Sequence, residues 1–202
     1  MNGLIYVRLF SPILTLTENF NMTALPQLTL RHLGMFVRDI EKMASFYQEV
    51  LGFTQTDSGH IRGHDVVFLT RDEHAHHQLV METGRSEHTG PGFGLQQISF
   101  QVNALDDLRV MHNTVKARSD VGTIQAVDHG NAWSLYFRDP EDNRVEIYLD
   151  SPWYIPQPYA EALNLDSTDA EIHACTLQKV QALPGHVSMA QWQAALAAKI
   201  KR

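Results

Sequence analysis

Cysteine is nearly absent from this chain of 202 residues, and the single Cys175 leaves no partner for an internal disulfide. Such scarcity is typical of proteins that work in a reducing compartment, so we expect a cytoplasmic location. Long apolar runs are also missing, because Arg8 and Pro12 interrupt the apolar stretch near the N-terminus. That stretch also lacks the basic residues that begin a signal peptide. We therefore expect neither a targeting signal nor a membrane partner.

Positive charge is in short supply as well. Lys and Arg number 16 against 23 Asp and Glu, which gives a formal net charge of −7. No stripe of basic residues stands out, and this balance disfavours a nucleic-acid partner. The sequence also lacks a phosphate-binding loop, a nucleophile elbow and a CxxC motif, so we expect no organic cofactor.

What the sequence does have is a periodic pattern that occurs twice. The first copy begins with the alternating segment LTLRHLGMFV, a strand, and continues with the helix IEKMASFYQEVL. Asp39 is the expected N-cap of that helix and Gly52 its left-handed C-terminal residue. Three further strands follow in FTQTDS, HDVVFLTR and HHQLVMET, separated by turns at Ser58-Gly59 and at 71–73. The first copy is a βαβββ unit.

The second copy follows a linker rich in glycine, TGRSEHTGPGFG, and repeats the order of strand, helix and three strands. The predicted fold is therefore α+β, with two βαβββ modules that form a cupped half-barrel. Beyond Asp150, the proline-rich segment SPWYIPQPYAEALNL predicts an extended stretch, and the residues after it predict helices. This tail is expected to cover a sheet edge, to extend a dimer interface or to form a lid. The expected layout is an N-terminal extension at 1–27, a domain at 28–150 with modules 28–84 and 94–150, and an extended and helical tail at 151–202.

Four polar residues stand in the first and last strands of the two modules and are expected to converge in the cup. These are His32, His77, Gln97 and Glu146, where the repeat makes His32 the counterpart of Gln97 and His77 the counterpart of Glu146. A register error of one residue would exchange His77 for His76, or Gln97 for Gln96. Two imidazoles and a carboxylate suit a divalent metal such as Fe(II), Mn(II), Zn(II) or Ni(II), so the sequence predicts a metal site.

The two ends of the duplicated region resemble the vicinal oxygen chelate superfamily, which includes glyoxalase I, bleomycin- and fosfomycin-resistance proteins and extradiol dioxygenases. The opening motif is RHLGMFVRDIEKMASFYQEVLGF and the closing motif is WSLYFRDPEDNRVEIYLD. This scaffold supports several reactions, so the resemblance alone predicts a fold and a metal site, not one activity.

Further features resemble the one-domain extradiol dioxygenases of this superfamily. HHQLV is similar to the strand that carries their acid-base histidine, which assigns that role to His76 or His77. Tyr136 and His129 match the tyrosine that hydrogen-bonds the bound catechol and the histidine behind it. The resemblance thus implies a homodimer that uses Fe(II), with Mn, Ni or Zn as alternatives, to cleave a small catechol-like aromatic ring with O₂.

One departure keeps other functions open. The extradiol enzymes carry a histidine at the start of the second module, where this chain has Gln97. His77 can replace the missing imidazole as a metal ligand, but it then cannot serve as the base, and His76 or His129 would take that role. A glutamine ligand also resembles some glyoxalase I proteins, which suggests a metal-dependent lyase or isomerase. A protein that only binds a small molecule is the third possibility.

Overall fold

The computed structural model describes residues 29–86 and 95–199, and every structural statement here concerns those residues. The extension at 1–27, the first residue of the predicted strand (Leu28), most of the linker and the last three residues of the tail lie outside them. The first module contains β1 (Leu33–Val37), α1 (Ile40–Leu51), β2 (Thr54–Ile61), β3 (His64–Thr70) and β4 (Leu79–Thr83). The second contains β5 (Ile98–Gln101), α2 (Leu105–Lys116), β6 (Gly122–Asp128), β7 (Ala132–Arg138) and β8 (Arg144–Asp150). The predicted α+β fold with two βαβββ modules is confirmed.

Each module forms its own mixed sheet, and neither sheet closes into a barrel. The first sheet has the order β1-β4-β3-β2, and the second has the order β5-β8-β7-β6 with one further strand beyond β6. The first and last strands of each module lie side by side and parallel, β1 with β4 and β5 with β8. This topology places residues at the starts of those two strands next to each other, and the predicted site residues lie there.

Local signals in the sequence set the ends of α1 as expected. The Asp39 side chain accepts a hydrogen bond from the Lys42 backbone N–H at 3.0 Å, and Gly52 adopts φ 67° at the C-terminus. The apolar face of α1 buries Met43, Phe46 and, four residues after Met43, Tyr47. The helix thereby contributes to a core that both modules share.

Three boundaries predicted in the first module are wrong. Strand β1 begins only at Leu33, so His32 precedes the strand and does not belong to it. The β2–β3 turn is not at Ser58-Gly59 but at Arg62-Gly63, both with positive φ (53° and 85°), as a tight hairpin turn requires. Strand β4 begins at Leu79, so His76 and His77 belong to the preceding loop and not to the strand.

The tail packs on the second module through short strands and two helices. It comprises β9 (Trp153–Tyr154), β10 (Glu161–Ala162), α3 (Asp169–Val180), β11 (Val187–Ser188) and α4 (Met189–Lys199). Strand β10 pairs with the edge of β6, so the tail covers a sheet edge as expected. Thr176 of α3 accepts a hydrogen bond from the buried Trp133 indole at 2.9 Å and donates one to Asp128 at 2.7 Å. Within the described residues, no helix is both long and apolar enough to cross a bilayer.

Candidate active site

His32 and His77 form the first pair of predicted site residues. His32 directly precedes β1 and His77 lies two residues before β4, and the two strands are in register at Leu33 and Leu79. The backbone N–H of Leu33 donates to the carbonyl of Gln78 at 3.0 Å, which fixes the two strand starts together. The imidazole ring centres of His32 and His77 are therefore only 4.5 Å apart.

His76 links this pair to Asp57, a residue that the sequence did not single out. Its Nδ1 lies 2.9 Å from Nδ1 of His77, and its Nε2 lies 2.6 Å from Oδ2 of Asp57 on β2. Burial, followed by the positive charges that His32 and His76 can carry, lowers the pKa of His77 below its ordinary value. His77 therefore keeps a neutral ring, which can act as a ligand or base, to lower pH than a free histidine does.

Glu146 is the centre of the second group of predicted site residues. It lies in β8, directly opposite Tyr136 on β7 and beside Ser99 on β5. The Tyr136 hydroxyl donates to Oε1 at 2.5 Å, while the Ser99 hydroxyl and the Gln97 amide donate to Oε2 at 2.5 Å and 2.9 Å. These three hydrogen bonds compensate the desolvation of a carboxylate that is only 8% exposed. Gln97 and Glu146 are thus in direct contact.

Tyr136 extends this network to His129 and the tail. His129 Nε2 lies 2.9 Å from the Tyr136 hydroxyl, and His129 Nδ1 lies 2.7 Å from the carbonyl of Tyr159. A carbonyl only accepts, so Nδ1 carries a hydrogen. Because Tyr136 donates its one proton to Glu146, its contact with His129 is a hydrogen bond only when Nε2 carries a hydrogen too. Burial, then the hydrogen bond to Glu146, raises the pKa of Tyr136 to about 12.

The strand registers correct the expected correspondence between His77 and Glu146. Leu33 pairs with Leu79 in the first module and Ile98 pairs with Val145 in the second, so the counterpart of Glu146 is Val80. The reason is loop length: β3 and β4 are joined by eight residues (71–78), whereas β7 and β8 are joined by five (139–143). The surplus of three residues moves His77 off the strand. The other correspondence, between His32 and Gln97, agrees with these registers.

The site residues therefore form two groups, one from each module. Imidazole and carboxylate are suitable donors for a divalent transition metal, so the residue types fit a metal centre. Among the residues that the structure describes, however, no three His, Cys, Asp or Glu side chains come together as a set that could hold one metal ion. The set of His32, His77, Gln97 and Glu146 thus remains a prediction, and the structure supplies it as two pairs.

The closing motif also contains residues with a structural role. Asp139 accepts hydrogen bonds from the backbone N–H groups of Glu141 and Asn143, as expected of a turn residue. Glu141, which the sequence did not single out, is 4% exposed and accepts from the backbone N–H groups of Arg38 and Asp39, both at 2.7 Å. The hydrogen bonds to Glu141 thus connect this turn of the second module to the start of α1.

A comparison with protein families decides the classification. Residues 29–147 match the family described as the Glyoxalase/Bleomycin resistance protein/Dioxygenase superfamily, which is more than half of the chain. The chain belongs to this superfamily.

Relatives with assigned names in the superfamily include two dioxygenases from Rhodococcus globerulus. Biphenyl-2,3-diol 1,2-dioxygenase 2 is 28% identical over 134 residues, which cover 64% of this chain and 66% of the relative. Biphenyl-2,3-diol 1,2-dioxygenase 3 is 29% identical over 136 residues, with the same coverages of 64% and 66%. The chain thus spans slightly less than two-thirds of the length of each.

A solved structure in the superfamily supports the fold. The glyoxylase/bleomycin resistance protein/dioxygenase domain from Frankia sp. EAN1pec superposes with a TM-score of 0.52 at 19% sequence identity. The match covers 63% of this chain and 100% of that domain. At this identity the likeness concerns the arrangement of helices and strands, and the activity must be argued from the site.

Proposed function

We propose that this protein is a metal-dependent, extradiol-type ring-cleaving dioxygenase that acts on a small catechol-like aromatic with O₂. The observation that carries the proposal is the hydrogen bond of 2.5 Å between the buried Tyr136 and Glu146, with Nε2 of the half-buried His129 at 2.9 Å from the Tyr136 hydroxyl. A carboxylate with a tyrosine hydroxyl fixed beside it provides a metal ligand and, next to it, a group that can orient a substrate hydroxyl. The names of the two Rhodococcus relatives support the same reaction class.

In this proposal His32 and Glu146 hold the metal, and His77 or Gln97 is the third ligand. When bound, a redox-active metal, Fe(II) in the first place, supplies Lewis acidity toward the diol and a route for electrons to dioxygen; Mn(II), Ni(II) and Zn(II) are the alternatives. Tyr136 keeps its proton at neutral pH because its pKa is raised. In this proposal the hydroxyl turns that proton from Glu146 to a substrate oxygen. His76, His77 and His129 are the candidates for moving a proton.

The test is oxygen consumption by protein that has been loaded with Fe(II) under anaerobic conditions. We expect members of a panel of catechols to be converted to yellow ring-cleaved products with uptake of O₂. His32→Ala and Glu146→Ala should abolish turnover, whereas His60→Ala should not, because His60 pairs with Asp65 at 2.9 Å on the exposed β2–β3 hairpin. Absence of O₂ uptake across the panel contradicts the proposed reaction.

A glyoxalase-like lyase or isomerase is the second candidate, and the contact between Gln97 and Glu146 favours it. An amide that neighbours the carboxylate ligand can itself coordinate a redox-inert metal. This candidate predicts Ni(II) or Zn(II) in the purified protein and turnover that is independent of O₂. Stoichiometric iron together with an O₂-dependent reaction would exclude it.

A third candidate is a protein that binds a small molecule without turnover, as in bleomycin resistance. The separation of the site residues into two pairs, without a set of three donors among the described residues, favours this candidate. It predicts that His32→Ala leaves ligand affinity unchanged, whereas both enzyme candidates predict that affinity or activity falls together with metal content.

We further propose that the protein acts as a homodimer. Strands β1 and β5 are edges of their sheets, and His32 and Gln97 directly precede them, so a second copy paired at these edges could bring the two pairs together. Mixing inactive His32→Ala and Glu146→Ala proteins then restores about a quarter of the activity, because half of the dimers are mixed and each has one intact site of two. If no activity returns after subunit exchange, the complete site belongs to one chain.

A further inference from the structure

Asp57, His76 and His77 form a continuous hydrogen-bonded series in the first module. Oδ2 of Asp57 lies 2.6 Å from Nε2 of His76, and Nδ1 of His76 lies 2.9 Å from Nδ1 of His77. The ring of His77 in turn lies against that of His32. The series runs from a carboxylate on β2 to the pair of imidazoles expected at the metal.

A β-bulge places Asp57 in this series. Gln55 pairs with Leu69 and Asp57 pairs with Phe68, so β2 contains one residue more than β3 at this point. Without the extra residue, Asp57 would pair with Val67, a buried core residue, and would point to the opposite face of the sheet. With it, Asp57 is opposite Phe68, whose ring contacts His76 and His77 at centre distances of 5.5 Å and 5.2 Å.

The chemistry of the three groups determines which nitrogen carries each proton. An ionised carboxylate only accepts hydrogen bonds, so Nε2 of His76 must carry a hydrogen. In a neutral His76 the other nitrogen, Nδ1, is then an acceptor, and the hydrogen between the two imidazoles belongs to Nδ1 of His77. That assignment leaves Nε2 of His77 without a hydrogen, and its lone pair is available.

We propose that Asp57 is a positioning residue which, through His76, holds His77 in the tautomer with hydrogen on Nδ1 and a free lone pair on Nε2. The inference rests on the proposed function for the role of that lone pair, as metal ligand or as base. In either role His77 needs a defined free nitrogen, and hydrogen bonds from neighbouring side chains are the usual way of fixing it. Asp57 is 67% exposed, so its substitution leaves the core intact.

The experiment is a long-range ¹H–¹⁵N correlation spectrum of the full chain labelled with ¹⁵N-histidine, recorded without metal at mildly alkaline pH so that the imidazoles are neutral. His76→Gln and His77→Gln spectra assign the two rings. We expect His77 with hydrogen on Nδ1 and His76 with hydrogen on Nε2. In Asp57→Ala, His76 should become a mixture of tautomers and His77 should follow it.

Asp65→Ala is the matched control, because Asp65 also bonds a histidine, His60, on the same hairpin but has no contact with His77. It should leave the His77 signals unchanged. Hydrogen on Nε2 of His77 in the parent protein overturns the proposal, and so does a His77 tautomer that Asp57→Ala does not alter. The protein contains no metal or substrate in this experiment, so the tautomer result does not depend on the dioxygenase assay. A negative assay would not overturn the role of Asp57, and a negative tautomer result would not overturn the proposed reaction.

Discussion

Tyr136 has a single hydroxyl proton and two neighbours that can use it. Glu146 accepts that proton at 2.5 Å, His129 lies on the other side at 2.9 Å, and the Arg144 guanidinium stacks over the ring at 4.1 Å from its centre. Burial and the adjacent carboxylate both disfavour a tyrosinate at this position. The hydroxyl therefore stays a donor throughout the neutral range, as a group that orients substrate must.

A tyrosine that keeps its proton in the folded state makes the free energy of unfolding vary with pH in the alkaline range. The pKa of Tyr136 is about 12 when folded, against about 10 for an unfolded tyrosine, so only the unfolded state loses this proton between these values. The free energy of unfolding must therefore fall as pH rises through this window. In Tyr136→Phe the fall should be smaller than in the parent, as measured by urea unfolding at about pH 9 and about pH 11. Equal falls in the two proteins would contradict the raised pKa.

Single residues differ in how far the sequence could predict them. Glu146, Tyr136 and His129 could be indicated as candidates because their spacing follows a strand register and a family motif. Ser99 has a weaker signal, since it stands two residues after Gln97 and strand periodicity puts both on one face. Asp57 had none, because the bulge that turns it toward His76 leaves no mark in the hydrophobic pattern. The Tyr159 carbonyl could not be found either, because every residue has a carbonyl.

At the scale of elements, the β7–β8 turn holds the start of α1. Glu141 accepts from two backbone N–H groups, and its Oε2 lies 3.5 Å from Nη1 of Arg85. Tyr47 in α1 donates to Asp139 of the same turn at 3.2 Å. Because the turn belongs to the second module and α1 to the first, these contacts connect the two modules through buried polar groups.

Removing this carboxylate should therefore be costly. Glu141→Ala leaves the backbone N–H groups of Arg38 and Asp39 without their acceptor, and we expect a loss of about 2 kcal/mol in the free energy of unfolding. Glu141→Gln retains an acceptor oxygen and should lose only about 1 kcal/mol. The control Glu73→Ala, at a carboxylate that is 86% exposed, should change stability by less than about 0.5 kcal/mol. If urea unfolding shows equal losses of unfolding free energy for the Ala variants at 141 and 73, the Glu141 carboxylate does not stabilise the fold.

Helix ends were more predictable than strand ends in this chain. The Asp39 cap and the Gly52 terminus of α1 follow from local side-chain chemistry, and the structure contains both. The β2–β3 turn was misplaced because Ser58 and Gly59 lie within a strand that is exposed throughout, where no buried face marks its continuation. The start of β4 was misplaced because the loop before it is longer than its counterpart in the second module.

At the scale of the whole molecule, the two modules share one core yet keep separate sheets. The duplication could be predicted because both copies repeat one order of elements, and the superfamily assignment agrees with it. The convergence of the two pairs of site residues stays a prediction, because it depends on how the sheets approach each other within a chain or between copies. The central claim is accordingly that His32 and Glu146 serve one metal.

The most direct measurement is anomalous diffraction from crystals soaked with Zn(II), a redox-inert substitute for the working metal. The account predicts one strong peak within about 2.0–2.2 Å of both an imidazole nitrogen of His32 and a carboxylate oxygen of Glu146, from one chain or from two copies. His77 or Gln97 should complete the shell, and the peak should vanish in Glu146→Ala. A peak bound by only one of the two residues, or no peak at either, would contradict the account.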